Sequence, residues 1–514
     1  MCFLTSRQYS LLKTLLEVEK PLSMNALSGK VKLTTRQVDY NLQGVQYWLK
    51  DYGVMVRVTP GVGVSLDCSA EQRVSLADKL ASEKDVRLVL SVDERCQMLA
   101  LLLLTSDSTM ILANMKYLAG VTRTTALKDL DAIDAWFSQW NIKLERRPNL
   151  GYWLDITEEK RRQMIQALLW GETPFGDPLT LINYKEGLRF AVQIDAQLLP
   201  LVTETLNIVQ QWHVRRQYIT VAFAESQLGG RFTDEAVLQL GVVLAIQAER
   251  VHQGKYVSID PERVAWLQTN PLWPVAVKIG QRLAQSPYEN WPDDEIASIV
   301  MSLLSAGRNE RWPGDLDMDA VLEESIREMI NHLARVYLTN KLLEDRVLFD
   351  GVVNLLVPAY YRSYFNIWYP SSSSDISIIE QYAGDIQLAN DLADIFFTHT
   401  GIRLSTDNVA GLAMLLRAAV LREQAGRQQQ LLVICPSGMA TAQLLVARLK
   451  VYFPGMGTYR VISMRDLTPQ LAGTARFIIT TVPLPSGTVG KTPVLQVHPL
   501  LMPEDITAIT KMLD

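Results

Sequence analysis

Apolar residues along this chain recur mostly at intervals of three and four, the spacing of a helix that buries one face. Leu11, Leu12, Leu15 and Leu16 form such a stripe, and Leu99 to Leu104 is an unbroken apolar run of helix-core length. The pattern predicts helix, short helix, longer helix and then a hairpin, and it occurs twice at a constant offset of 88 residues. Without a gap, Leu42 meets Leu130, Trp48 meets Trp136, Pro60 meets Pro148, Gly63 meets Gly151, and Leu66-Asp67 meet Leu154-Asp155. Repetition at a fixed period marks a duplicated unit. Ser23 suits the cap of the short helix in the first copy.

Three helices and a two-stranded wing make a winged helix-turn-helix. The third helix of each copy opens on side chains suited to phosphates and base edges: Thr34, Thr35, Arg36, Gln37, Tyr40 and Asn41 in the first, and Thr122, Arg123, Thr124, Thr125 and Lys128 in the second. Arg57 falls on the first wing, and Arg146 with Arg147 on the second. Residues 1–60 carry eight basic residues against four acidic ones, although the whole chain has a net charge of −5. A basic first module on an acidic chain points to a local anion-binding face. The plainer alternative is that these are solvated faces of small helical domains.

A second duplication follows. Asp293 to Gly307 matches Thr406 to Val420 at an offset of 113, and the segment ending at Arg250 matches the one ending at Arg362. Two helical domains of about 110 residues account for both matches. The stretch YPSSSSD, Tyr369 to Asp375, reads as a loop.

At the C-terminal end the apolar run Leu431 to Ile434 reads as a core strand and Met439 to Lys450 as a helix, with Leu444, Leu445 and Leu449 on one face. Cys435 therefore lies on a strand-to-helix loop, where backbone N–H groups and a helix dipole converge on one spot. Such a loop suits a phosphorylated cysteine, a phosphatase or a tight turn. A phosphatase of the low-molecular-weight kind needs an arginine six residues on, and that position is Thr441. Later segments around ARFIITTVPL and TPVLQVHPLLMPEDI read as further strands and a closing helix of a small parallel α/β domain.

Length adds that 514 residues exceed one domain, and 48% apolar with 20% charged residues is ordinary for a packed protein. The four cysteines show no C-x-x-C spacing, so neither a metal site nor a disulfide framework is suggested. No run approaches the roughly 20 apolar residues of a membrane helix, and the start lacks a signal pattern, so membrane insertion is not expected.

In this order the modules resemble bacterial transcriptional regulators with duplicated phosphotransferase-system regulation domains, the mannitol-operon-activator class, to which the BglG-type antiterminators are related. The likeness covers essentially the whole chain. It implies a multidomain, mainly α architecture: a winged helix-turn-helix at 1–85, a second, Mga-like one at 86–170, all-helical regulation domains at 185–308 and 316–425, and a small α/β domain similar to enzyme IIB of the galactitol type at 429–514. The resemblance implies a cytoplasmic homodimer that binds double-stranded DNA, regulates and most simply activates a carbohydrate uptake or utilisation operon, and works with phosphotransferase-system proteins. It implies no enzymatic activity and no cofactor. RNA antitermination is disfavoured, because those relatives carry a short, strand-rich head; a protein-interaction regulator without phosphorylation control is a third reading.

Regulation domains of this class usually carry phosphorylatable histidines in H-L-x-P-A-x-x-R and D-E-I-x-x-L-x-x-H contexts. Carried over residue by residue, those positions are Val243, Ser302, Leu355 and Leu415, and the five histidines present lie elsewhere. Without an imidazole the histidine relay has no acceptor. The regulation domains are therefore expected to dimerise and transmit shape without phosphorylation control. The enzyme IIB cysteine is kept as Cys435, with Pro436, Ser437, Gly438, Met439, Ala440 and Thr441 as its phosphate loop. N–H groups from Ser437 to Thr441 are expected to surround a phosphoryl group, Thr441 to add a hydroxyl, and the helix start to lower the thiol's pKa. Ala442 replaces a serine frequent in the class.

Overall fold

The protein was analysed as a computed structural model, which describes residues 3–513 except 19, 32, 34, 60–61, 82–86, 89, 148–149, 191–199, 285–289, 314–319, 338–340, 371–382, 425–429, 455 and 485–488. Thr34, the repeat prolines Pro60 and Pro148, and most of the YPSSSSD stretch lie outside the described residues. The described chain is mainly helical and divides into two compact units, Met1–His213 and Val214–Asp514. No described helix is long and apolar enough to cross a membrane.

The first unit begins with β1 (Phe3–Leu4), α1 (Ser6–Glu17), α2 (Met24–Val31), α3 (Thr35–Leu49), the hairpin β2 (Met55–Thr59) and β3 (Gly63–Asp67), and α4 (Ala70–Ala81). After β4 (Arg87–Leu88), which pairs in parallel with β1, the same order returns. It runs α5 (Val92–Thr105), α6 (Leu112–Ala119), α7 (Arg123–Gln139), β5 (Leu144–Arg147), β6 (Gly151–Leu154) and α8 (Glu158–Trp170). The hairpin β7 (Thr180–Asn183) and β8 (Gly187–Phe190) and helix α9 (Pro200–Gln211) complete the unit. Local chemistry sets the helix starts. Thr5 and Gln8 form a reciprocal capping box on α1, and the Ser23 hydroxyl accepts the Ala26 N–H at 3.1 Å. Leu11, Leu12, Leu15 and Leu16 are all buried, as their spacing predicts.

The 88-residue repeat runs deeper than the matched letters. Arg73 on α4 donates to the carbonyls of Leu15, Leu16 and Val18 at the end of α1; Arg161 on α8 donates to Leu103, Leu104 and Ser106 at the end of α5. Each arginine thus satisfies carbonyls that the helix terminus leaves open. Gln46 accepts the Val56 N–H, and Asp134 accepts the Leu144 N–H, tying the third helix to its hairpin. Val64 bridges Leu22 and Tyr152 bridges Met110, so each hairpin gains a third, one-residue strand. That close approach requires glycine: Gly63 has φ +130° and Gly151 φ +117°, and a Cβ there would meet the Leu22 or Met110 carbonyl oxygen at 2.3 or 2.6 Å. Four helices and a hairpin, not three, are the repeated unit.

The second unit opens with α10 (Val214–Leu228), α11 (Asp234–His252), α12 (Pro261–Gln268), α13 (Trp273–Leu283) and α14 (Asp293–Ser305). Next come α15 (Ala320–Val336), α16 (Lys341–Glu344), α17 (Arg346–Tyr364), α18 (Ala383–Thr400) and α19 (Thr406–Gln424). The bounds of α11 and α17 and the starts of α14 and α19 fall at the offsets of the second duplication. The described residues of 185–213, expected at the head of the third module, belong to the first unit, where α9 packs on α5 and α6.

A four-stranded, all-parallel sheet ends the chain: β9 (Gln430–Ile434), β10 (Thr458–Ile462), β11 (Ile478–Thr480) and β12 (Val494–Gln496), in the order β10-β9-β11-β12. Helices α20 (Met439–Tyr452), α21 (Pro469–Ala472) and α22 (Pro503–Leu513) accompany it. Leu445 and Leu449 pack on the sheet, whereas Leu444 packs with Met414 of α19 and Leu500. Helix α20 is therefore covered on two faces instead of the one its leucines predict.

Candidate functional sites

Helices α3 and α7 each begin on an exposed polar face. Thr35, Arg36 and Tyr40 are exposed on α3, and Thr122, Arg123, Thr124 and Lys128 at and after the start of α7, with Thr125 half-buried. The Thr122 hydroxyl caps α7 by accepting the Thr125 N–H at 3.2 Å. Two residues expected to touch DNA are corrected. Gln37 and Asn41 are 1% and 5% exposed, because they lie on the same face of α3 as the core residues Val38, Leu42 and Val45; the Asn41 amide donates to the Gln37 carbonyl at 2.9 Å. Among the hairpin cations, Arg57 is paired with Asp67 at 2.7 Å, while Arg146 and Arg147 lie over the rings of Tyr152 and Trp153. Stacking holds a guanidinium at the surface without neutralising it. Among the described residues, the second hairpin thus carries more unneutralised positive charge than the first.

The four positions without histidine lie on α11, α14, α17 and α19. Leu355 and Leu415 form a reciprocal packing pair: a Cβ on Gly411 would meet Leu355 at 3.1 Å, and one on Gly351 would meet Leu415 at 2.8 Å. Leucine on one helix fills the space left by glycine on the other. Ser302 donates its hydroxyl to the Ser298 carbonyl at 2.8 Å, a bond within its own helix. Val243 is half-buried on α11.

Cys435 follows β9 and is 7% exposed. Its thiol is pushed up from its ordinary value by burial, with Thr481 and Ser437 acting the other way. The expected lowering by the helix start is therefore corrected: desolvation of the thiolate outweighs the loop's donors. Gly438 caps α20 with φ +100°, a backbone conformation that glycine alone adopts readily. The Thr441 hydroxyl is also not free for the loop, since it is buried and directed at the Met414 sulfur at 3.9 Å.

The sheet domain that carries the loop is clamped to α10 and α11 by contacts that sequence reasoning missed. The Arg465 Nε donates to Asp234 at 2.8 Å, its Nη2 to the Phe232 carbonyl at 2.6 Å, and its Nη1 lies 3.1 Å from Glu225. The Ser463 hydroxyl donates to the same Asp234 at 2.6 Å. Arg422 of α19, paired at 2.7 Å with Asp345 at the start of α17, also donates to Gln443 of α20 at 3.4 Å, and Ala418 and Leu421 pack on Ala447 of α20. Residues 436–441, with parts of α11, α17 and α19 and the turn after α14, line a cavity of about 240 Å³. Arg308, Arg362, Asn354 and Leu355 stand in its wall. Arg362 is the arginine of the H-L-x-P-A-x-x-R context that starts at Leu355, whereas Arg308 and Asn354 carried no sequence signal.

No family model matches the chain. Two proteins of Bacillus subtilis (strain 168) are similar to it along nearly its whole length. One, named "Probable licABCH operon regulator", is 24% identical over 521 residues, which span 99% of this chain and 76% of that protein. The other, "Transcriptional regulator ManR", is 21% identical over 523 residues, 98% of this chain and 74% of that protein.

Proposed function

We propose that the chain is a double-stranded-DNA-binding transcriptional regulator, an activator, of a carbohydrate uptake or utilisation operon, acting in the cytoplasm as a homodimer. The repeated helical units act as two winged helix-turn-helix modules, with α3 and α7 as recognition helices and the hairpins as wings. The observation that carries this reading is the exposed face of Thr122, Arg123, Thr124 and Lys128 at the start of α7, in a module whose hairpin presents Arg146 and Arg147. Hydroxyls and guanidinium or ammonium groups in that arrangement bind phosphates and base edges. The regulator names of the two relatives support the same role.

The helices of the second unit act as two regulation domains that lack phosphorylatable histidines, and the C-terminal sheet domain acts as an enzyme IIB-like sensor. Cys435 accepts a phosphoryl group from a donor phosphohistidine of the phosphotransferase system: the thiol gives up its proton, the thiolate attacks phosphorus, and the P–N bond breaks with its electron pair passing to the imidazole nitrogen, which takes up a proton and leaves as neutral histidine. Because the thiol is buried and protonated in the docked form, the domain must loosen before it reacts. A gel shift with duplex DNA from the gene's own upstream region, run beside transcript hairpins, tests the central claim. Duplex binding that weakens steeply with salt is expected. Failure to bind any duplex at low ionic strength overturns it, and preference for the hairpins favours the antiterminator reading.

A further inference from the structure

The tips of the two repeated hairpins share a feature that folding does not require. Val62 in the first copy and Leu150 in the second fall at the same 88-residue offset and are 56% and 55% exposed. Each closes its turn with the same backbone bond: the Val62 N–H donates to the Thr59 carbonyl at 3.1 Å, and the Leu150 N–H to the Arg147 carbonyl at 3.2 Å. A single apolar side chain on a surface needs no explanation. Its return at the same place in a duplicated unit does, because the other exposed apolar positions changed character. Among the described residues of the first copy those are Tyr40, Tyr47, Met55, Val58 and Val74, and at the same offset stand Lys128, Ala135, Lys143, Arg146 and Arg162. Four became cations and one a small alanine, while the tip stayed large and apolar.

Both tips are firmly mounted. Two residues past each one, Val64 exchanges backbone hydrogen bonds with Leu22 at 2.7 and 2.9 Å, and Tyr152 exchanges them with Met110, both at 2.8 Å. A side chain pressed into a partner needs such backing, since a slack turn would fold away. Charge identifies the partner. Arg146 and Arg147 stand on the strand that leads to Leu150, stacked on Tyr152 and Trp153 with their charge intact. An apolar point flanked by two guanidiniums fits the minor groove of duplex DNA. Its walls are the C–H edges of deoxyribose, it admits apolar side chains, and its negative potential draws arginine. The major groove is left to the recognition helix of the same module. On the first hairpin Arg57 is paired with Asp67, so that tip has weaker support.

We propose that Leu150, and more weakly Val62, enters the minor groove of bound DNA and packs against deoxyribose, while Arg146 and Arg147 hold the adjacent phosphates. This contact rests on the duplex binding proposed above and adds to it a contribution that carries no charge.

The test uses the full chain on duplex DNA from the gene's own upstream region. Affinity is measured over a range of salt, beside hydroxyl-radical footprinting, which reads the exposure of deoxyribose in the minor groove. L150A is expected to weaken binding by about tenfold and V62A by about threefold. Both should leave the slope of log affinity against log salt unchanged, because no phosphate contact is lost. L150A should also uncover one short run of sugars while the rest of the footprint stays, and L150M should restore both affinity and footprint. V74A, which trims another exposed valine beside Glu71 and Asp78 on α4, is the control and should change neither. Melting curves confirm that each variant folds. An unchanged affinity or an unchanged footprint in L150A overturns the proposal, and so does a reduced salt slope. A shift in the sedimentation of L150A without DNA also overturns it, since the tip would then lie between two copies of the chain. If the wild-type chain binds no duplex, the regulator reading falls as well; if it binds and L150A binds equally, only the wing-tip contact falls.

Discussion

Cutting the Arg465 clamp should expose Cys435. In R465M the aliphatic stem stays, and three charge-assisted interactions go: with Asp234, with the Phe232 carbonyl and with Glu225. Removing one partner from a buried ion pair costs about 3–5 kcal/mol. The low end applies here, since the Arg465 side chain is 19% exposed and its partners keep other donors. Asp234 retains the Ser463 hydroxyl, and Glu225 retains Arg231 and the Phe232 N–H. About 3 kcal/mol off the free energy of local opening corresponds to roughly a hundredfold larger open population. Alkylation by iodoacetamide, followed residue by residue with mass spectrometry, reads that population when reclosing is fast. Cys435 should react about a hundredfold faster in the variant, whereas Cys96, fully buried in the first unit, serves as the internal reference and should not change. If Cys435 reacts at the wild-type rate in a folded R465M chain, the clamp does not control access to the loop.

Other outcomes follow from the same geometry. Replacing Arg123, Lys128 or Arg146 by alanine should weaken duplex binding across sequences and reduce the slope of log affinity against log salt by about 0.9 for each phosphate no longer neutralised. Asp129→Ala strips the buried Arg95 of a carboxylate held at 2.8 Å and should cost about 3–5 kcal/mol, seen as a lower melting temperature of the first unit. Gly151→Ala forces a side chain into a φ of +117° and against the Met110 carbonyl, so a loss of about 1–3 kcal/mol is expected, with weaker amide protection in the hairpin. The Cys435 thiol, raised by burial, favours the folded state fully below the ordinary thiol pKa of about 8.5 and loses that contribution as pH rises through its folded value. Its alkylation midpoint should therefore lie above the ordinary thiol value, and C435A should blunt the alkaline loss of stability.

The repeats made most of the fold legible. Matched letters such as Trp48 with Trp136 and Gly63 with Gly151 located both three-helix units and their hairpins, because each position carries a packing or backbone demand that a copy must repeat. Arg73 and Arg161 lay at the same offset but were unread, since an arginine on a helix looks solvent-facing until the carbonyls of a distant helix are in place. Gln37 and Asn41 misled for the opposite reason: polar identity suggested an outward face, while helical spacing relative to Val38 and Val45 turned them inward. At the C-terminal end, strand, loop and helix around Cys435 were readable from local pattern alone. What ties this domain to α11 was not, because Asp234 lies 201 residues before Cys435 and Arg465 thirty after it, and the docked surfaces meet only in the tertiary structure.

Helix α5 has a consequence for how the chain must be made. Every residue from Glu94 to Leu104 is buried, covered by α7, α8, α9 and the second hairpin. Those covers are encoded downstream, as far as Gln211. At a synthesis rate of about 5–20 residues per second, this greasy rod leaves the ribosome roughly 5–20 s before its last neighbour exists. During that interval it is a natural target for holding chaperones, and slower translation or a cold culture should change the yield of this protein more than any adjustment to its finished surface.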